Sequence, residues 1–127
     1  MGNNFKELIV WQKAMELAKE IYRLTRLLPK EELYALSSQM RRAAVSIPSN
    51  IAEGQARNSR REFISFLSIA KGSSAELQTQ CLLCETLGYL QKGKTQQALI
   101  LAEEVSRMLN SLIKSLSTEI KRQSTKN

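Results

Sequence analysis

Apolar residues return every three or four positions along nearly the whole chain, and only short polar, glycine- or proline-bearing stretches break the rhythm. That period is the spacing of one helix face, whereas a half-buried strand alternates every second residue. The first helical segment runs from about Lys6 to Leu28, with Asn4 as N-cap, Glu7 three residues on and Pro29 as its stop. Its apolar positions form two adjacent stripes: Leu8, Trp11, Met15, Ala18 and Tyr22, and beside them Val10, Ala14, Leu17, Ile21, Leu24 and Leu28. Together they are wider than one neighbouring helix would cover. The second segment spans about Glu31 to Ala56 and holds Pro48 in its interior. Proline there removes one backbone hydrogen bond and crowds the Ala44 carbonyl, which predicts a kink between about Ala44 and Ile51 rather than two helices. Gly54 closes that segment or sits just before its closure.

Ser59-x-x-Glu62 is a capping box directly before Phe63, Phe66, Leu67 and Ala70, so a third helix is predicted from about Arg60 to near Gly88. Its stretch Ala70, Gly72, Ser73, Ser74 and Ala75 is small enough to admit another backbone closely. The fourth segment starts near Thr95, after Lys92-Gly93-Lys94, and carries apolar residues at helical spacing as far as Ile120. A polar tail from Arg122 to Asn127 is expected to fray. At 127 residues there is room for one core. The expected architecture is all-α: a single domain over residues 1–121, built as an up-down-up-down antiparallel four-helix bundle with a proline kink in its second helix, and then the tail at 122–127.

The residues that are missing exclude much chemistry. The chain has no histidine, so Ser-His and Cys-His nucleophile pairs are absent, as is the commonest metal ligand. Cys81 and Cys84 form a C-x-x-C inside a helical pattern with no second Cys/His pair to complete a zinc site, and they read as core thiols. No phosphate-binding glycine loop, paired catalytic carboxylates or nucleophile elbow occurs. No catalytic residue, metal ligand or cofactor is assigned, and the chain is read as a non-enzyme. The stretch Met1 to Trp11 does not have the form of a signal peptide, and the longest apolar run, Ala98 to Ala102, is far short of a membrane span. The expected setting is cytoplasmic, without a membrane partner.

Lysine and arginine number 19 against 12 acidic residues, a formal +7 that favours a polyanionic partner. The expected topology gathers Lys6, Arg57, Arg60, Arg61, Lys121, Arg122 and Lys126 at one end, offset by Glu7, Glu53, Glu62 and Glu119. The other end gathers Arg26, Lys30, Lys92 and Lys94 against Glu31 and Glu32. Trp11, Tyr22, Tyr34, Phe63, Phe66 and Tyr89 sit mainly at core-like spacing, so no base-stacking platform is expected. Arg57, Arg60 and Arg61 flank a helix N-terminus and are the first candidates for phosphate contact, with Lys121 and Arg122 nearby. Arg41 and Arg42 point about 100° apart on a helix. One is expected to face inward and pair with Glu53 or Glu76, and the other, taken as Arg42, to face solvent or nucleic acid.

The stretch Ser46-Ile47-Pro48-Ser49-Asn50-Ile51-Ala52-Glu53-Gly54, within Gln39 to Gly54, is long and unusual. With Arg57, Ser59, Glu62-Phe63, Phe66-Leu67, Gly72-Ser73, Glu76-Leu77 and Gln80, and the opening Phe5-Lys6-x-Leu8-x-Val10-Trp11-Gln12, it resembles the bacterial four-helix-bundle family of intervening-sequence proteins. These are encoded in insertions within large-subunit (23S) ribosomal RNA genes and elsewhere in bacterial genomes. The resemblance covers roughly Phe5 to Leu90. It implies a homo-oligomer, a ring-like homopentamer, that binds RNA or DNA through basic surface, with RNA the preferred partner. A related branch, the accessory proteins of diversity-generating retroelements, is similar in fold and binds a reverse transcriptase, so a protein-interaction scaffold is the alternative. Within the motif, Pro48 reads as a kink and Gly54 as a helix terminus. Asn50 and Glu53 either satisfy backbone groups freed by that kink or bond across a subunit interface.

Overall fold

The computed structural model describes residues 4–126. Four helices account for most of them: α1 (Ile9–Thr25), α2 (Leu36–Gln55), α3 (Arg60–Thr86) and α4 (Gln96–Lys126). No strand occurs among the described residues. Each helix packs on two neighbours, α1 on α2 and α4, and α3 on α2 and α4. Cross-helix bonds show that neighbours run antiparallel. Ser46 meets Ser73 at 2.9 Å while Met40 meets Cys84 at 3.6 Å, and Arg60 meets Glu119 while Ser74 meets Ser106. This is the expected up-down-up-down bundle.

One stripe of α1 enters the core: Val10, Ala14, Leu17, Ile21 and Leu24 are buried. The adjacent stripe borders it: Leu8, Trp11 and Ala18 are half-buried against the core, whereas Met15 and Tyr22 are 46% and 37% exposed. The other helices complete the core with Met40, Ala44, Ile47 and Ile51 from α2, Leu67, Leu77, Cys81 and Cys84 from α3, and Val105 and Leu109 from α4. α2 runs unbroken across Pro48.

The helix ends differ from the expected ones in instructive ways. Asn4 caps a separate 3-10 turn at Phe5–Glu7, accepting from the Lys6 amide, and α1 starts only after the extended residue Leu8. A second 3-10 turn at Lys30–Glu32 precedes α2, so that helix begins five residues later than the apolar spacing indicated. A 3-10 turn repeats every three residues and keeps the same apolar rhythm, which is why spacing alone merged the pieces. Ser59 caps α3 as expected, its hydroxyl accepting from the Glu62 amide at 3.1 Å and donating to the Glu62 carboxylate at 3.2 Å. α3 closes in a Schellman arrangement: the Gly88 amide donates to Glu85 and the Tyr89 amide to Cys84. Gly88 has φ +77°, a conformation that disfavours any residue with a Cβ. α4 continues to Lys126, so the stretch expected to fray from Arg122 is helical through Lys126. Asn127, the side chain of Lys126 and residues 1–3, including the start of the Met1 to Trp11 stretch, lie outside the described residues.

The small-residue stretch of α3 works through its serines, not its glycine. Ser74 is fully buried and bonds the Ala102 carbonyl at 3.1 Å and the Ser106 hydroxyl at 2.8 Å on α4. A Cβ at Gly72 would meet nothing within 4 Å, so the close approach expected there is absent.

Candidate functional site

The turn between α2 and α3 is built by a close contact and two caps. A Cβ on Gly54 would come within 2.8 Å of both the Phe63 ring and the Phe66 Cβ. Gly54 thus lets the first turn of α3 lie against α2. It sits just before the closure of the helix, since α2 ends at Gln55 with Ala56 as its C-cap, and it serves there as a packing residue. The contact presents the Phe66 ring to Arg57, whose guanidinium carbon lies 4.8 Å from the ring centroid. The same guanidinium donates to Glu53 at 2.8 Å. Arg60 donates to Glu119 on α4 at 2.6 Å, which ties the start of α3 to the far end of α4. Two of the three arginines expected to meet phosphate therefore already hold a carboxylate.

Arg61, Lys121 and Arg122 are exposed, and among the described residues none is in an ion pair. Two open grooves flank the last turns of α4 here. One, of about 830 Å³, lies between the α2–α3 turn and α4 and is bordered by Arg57, Arg60 and Arg61 over Phe63 and Ile120. The other, of about 730 Å³, has Ile64 and Ile120 below Arg61 and Lys121, with hydroxyls from Ser65, Ser117, Ser124 and Thr125. Arg61 stands between them and borders both. Five of the six candidate residues thus share one end of the bundle. Arg42 does not: it precedes Arg57 by fifteen residues, about 22 Å along α2.

Arg41, and not Arg42, is the arginine that faces inward, but its partner is no carboxylate. Its Nε donates to the Thr25 hydroxyl at 2.9 Å and its guanidinium lies over Tyr22, 5.1 Å from the ring centroid. Glu53, three turns further along α2, is held by Arg57 instead, and Glu76 receives only a long 3.4 Å contact from Gln80. Asn50 donates to the carbonyl and hydroxyl of Ser46 at 2.7 and 2.9 Å, whereas the acceptor deprived by Pro48 is the Ala44 carbonyl. The aromatic residues also depart from expectation, because Tyr34 is 92% exposed. It sits in the loop just before α2.

The two cysteines are buried and free. Burial, reinforced by Cys84 and by the carboxylates of Glu85 and Glu20, pushes the Cys81 thiol up to about 12, and burial likewise raises Cys84. Thiolates are the reactive and ligating form, so both behave as core residues. No group of three or more metal-type side chains occurs among the described residues, and no helix is long and apolar enough to cross a membrane. A further electrostatic contact ties the end of α3 to the residue just before α4: the Glu85 carboxylate accepts from the Thr95 amide at 3.3 Å and from its hydroxyl.

Comparison with known proteins adds a family to this geometry. Residues 6–111 match the model of a family described as 23S rRNA-intervening sequence protein. Among solved structures, this chain is similar to a protein of unknown function from the S23 ribosomal protein family of Bacteroides thetaiotaomicron, with 28% sequence identity and a TM-score of 0.77. The match covers 84% of this chain and 99% of that one. No curated protein matches the chain.

Proposed function

The chain belongs to the family of 23S rRNA-intervening sequence proteins, and on that premise we propose that it is a non-enzymatic, oligomeric protein that binds structured nucleic acid at the basic end of the bundle. The observation that carries this reading is the trio Arg61, Lys121 and Arg122, exposed beside two grooves and, among the described residues, in no ion pair. Lysine and arginine at such a surface release counterions from phosphate on binding, which is a large share of nucleic-acid affinity. Contacts from these side chains to phosphate position a nucleic-acid backbone and sense its shape. RNA is proposed over DNA from the family's tie to 23S rRNA. The protein acts in the cytoplasm, with no cofactor and no membrane.

Self-assembly, with five copies as the resemblance implies, is supported by the second stripe of α1. Met15 and Tyr22 on that stripe are 46% and 37% exposed, and Ile9, elsewhere on α1, is 61% exposed, more apolar surface than a lone bundle needs to leave in water. The exposed Ile69, Leu82 and Leu83 of α3 favour a second reading, a scaffold that docks a protein such as a reverse transcriptase.

The test is binding of nuclease-treated protein to a labelled structured ribosomal RNA fragment and to a scrambled fragment of equal length, across a salt series. Tight binding that weakens steeply with salt is expected, and Arg61→Ala/Lys121→Ala/Arg122→Ala should flatten the salt slope by about three units. Absence of binding at low salt removes the nucleic-acid reading and leaves the scaffold.

A further inference from the structure

Where Tyr22 of α1 meets the loop residues Leu33 and Tyr34 and the α2 residues Arg41, Arg42 and Val45, the surface opens into a cleft of about 610 Å³. Its chemistry differs from that of the grooves beside α4. Tyr34 stands 92% exposed, although tyrosine is an amphipathic residue that ordinarily hides most of its ring. Leu33 and Val45 beside it are each 44% exposed and supply an apolar floor. Two guanidinium groups border the cleft and no carboxylate lines it. Arg41 is fixed in place by Thr25 and Tyr22, while Arg42 is exposed and in no ion pair. The carboxylates nearest in sequence, Glu31 and Glu32, do not line the cleft, and Glu32 is occupied by the Tyr89 hydroxyl at 2.7 Å and the Leu36 amide at 3.2 Å.

An aromatic face in water, an apolar floor and cations without a carboxylate meet the needs of an unstacked base and its phosphate. We propose that this cleft binds an unpaired nucleotide of single-stranded RNA, its base stacked on Tyr34 and its phosphate held by Arg42. A duplex cannot use the cleft, because its bases are stacked inside the helix. Such a site extends the nucleic-acid reading, on which it rests, to a second surface about 22 Å along α2 from Arg57. It also explains why Arg42 is free of the acidic neighbours that hold Arg57 and Arg60.

The experiment is an anisotropy titration of a labelled twelve-nucleotide oligouridine and of a blunt RNA duplex, using the native protein, Tyr34→Ala, Tyr34→Phe, Arg42→Ala and the triple variant at Arg61, Lys121 and Arg122. Tyr34→Ala and Arg42→Ala should each weaken the single strand about tenfold and leave the duplex within about twofold, while Tyr34→Phe, which keeps the ring, binds as the native protein does. Unchanged single-strand affinity in Tyr34→Ala, with binding lost in the triple variant, overturns the cleft and leaves the basic end standing. Failure of the native protein to bind either probe sinks both. Light scattering on the same samples supplies the last arm: if Tyr34→Ala lowers the number of subunits, the cleft is a contact between copies and the proposal fails.

Discussion

Gly54 lies against Phe66 so closely that a Cβ on the glycine would stand 2.8 Å from the Cβ of the phenylalanine. Both residues are on short-range packed elements, and the atom that blocks a side chain at position 54 is next to the α3 backbone. Phe66 cannot swing away without moving α3. Gly54→Ala should therefore destabilise the fold by about 1–3 kcal/mol, although alanine is the better helix former by about 1 kcal/mol. Denaturant unfolding checks this, and an unchanged midpoint would show that the turn relaxes freely.

Glu53 and Glu119 hold Arg57 and Arg60, and on the proposed nucleic-acid reading they compete with phosphate for those guanidinium groups. Surface pairs of this kind are worth about 0.2–1 kcal/mol each, so releasing one arginine is worth about 1.5- to fivefold in RNA affinity. Glu53→Gln and Glu119→Gln should each tighten RNA binding by that order, and the pair together should steepen its salt dependence. Weaker binding in either variant would mean that the carboxylates aim the arginines and do not compete for them.

Glu85 carries a pH dependence whose sign follows from its partner. The Thr95 hydroxyl, above all, holds the Glu85 carboxyl below the usual glutamate range. A lowered native pKa stabilises the fold above the unfolded value of about 4.3 and loses that contribution as pH falls through the native value. The melting-temperature gap between the native protein and Glu85→Gln should be widest near neutral pH and should close in acid. A gap independent of pH would place the effect in packing alone.

Cys81 should be inert while the bundle is folded. With its thiol pushed up to about 12, about one molecule in ten thousand is thiolate at pH 8. A disulfide reagent should label native protein only as fast as it opens, and unfolded protein at once. Rapid labelling of folded protein by both thiols would argue for a redox role of the C-x-x-C.

Local features were legible where the deciding residues lie within one helical turn of each other. The Ser59–Glu62 box predicted the start of α3 to the residue, and the buried stripe of α1 follows the spacing of Val10, Ala14, Leu17, Ile21 and Leu24. The boundaries of α1 and α2 were blurred by flanking 3-10 turns that share the apolar rhythm. The site was legible as a set of arginines and lysines but not as a pattern of charge. Arg60 and Glu119 are 59 residues apart, and Arg41 and Thr25 are 16 apart, so no window along the chain relates them.

Periodicity, caps and the missing histidine determined from sequence that this chain is a helical bundle without a histidine-based site, because burial of an apolar stripe and satisfaction of helix ends are short-range demands. Which cations remain free was decided by tertiary structure. Antiparallel packing brings Glu119 to Arg60 and leaves Arg61, Lys121 and Arg122 without an ion pair among the described residues, and the loop before α2 turns Tyr34 out into water. Charge and exposure are properties of neighbours in space, and only the folded chain assigns those.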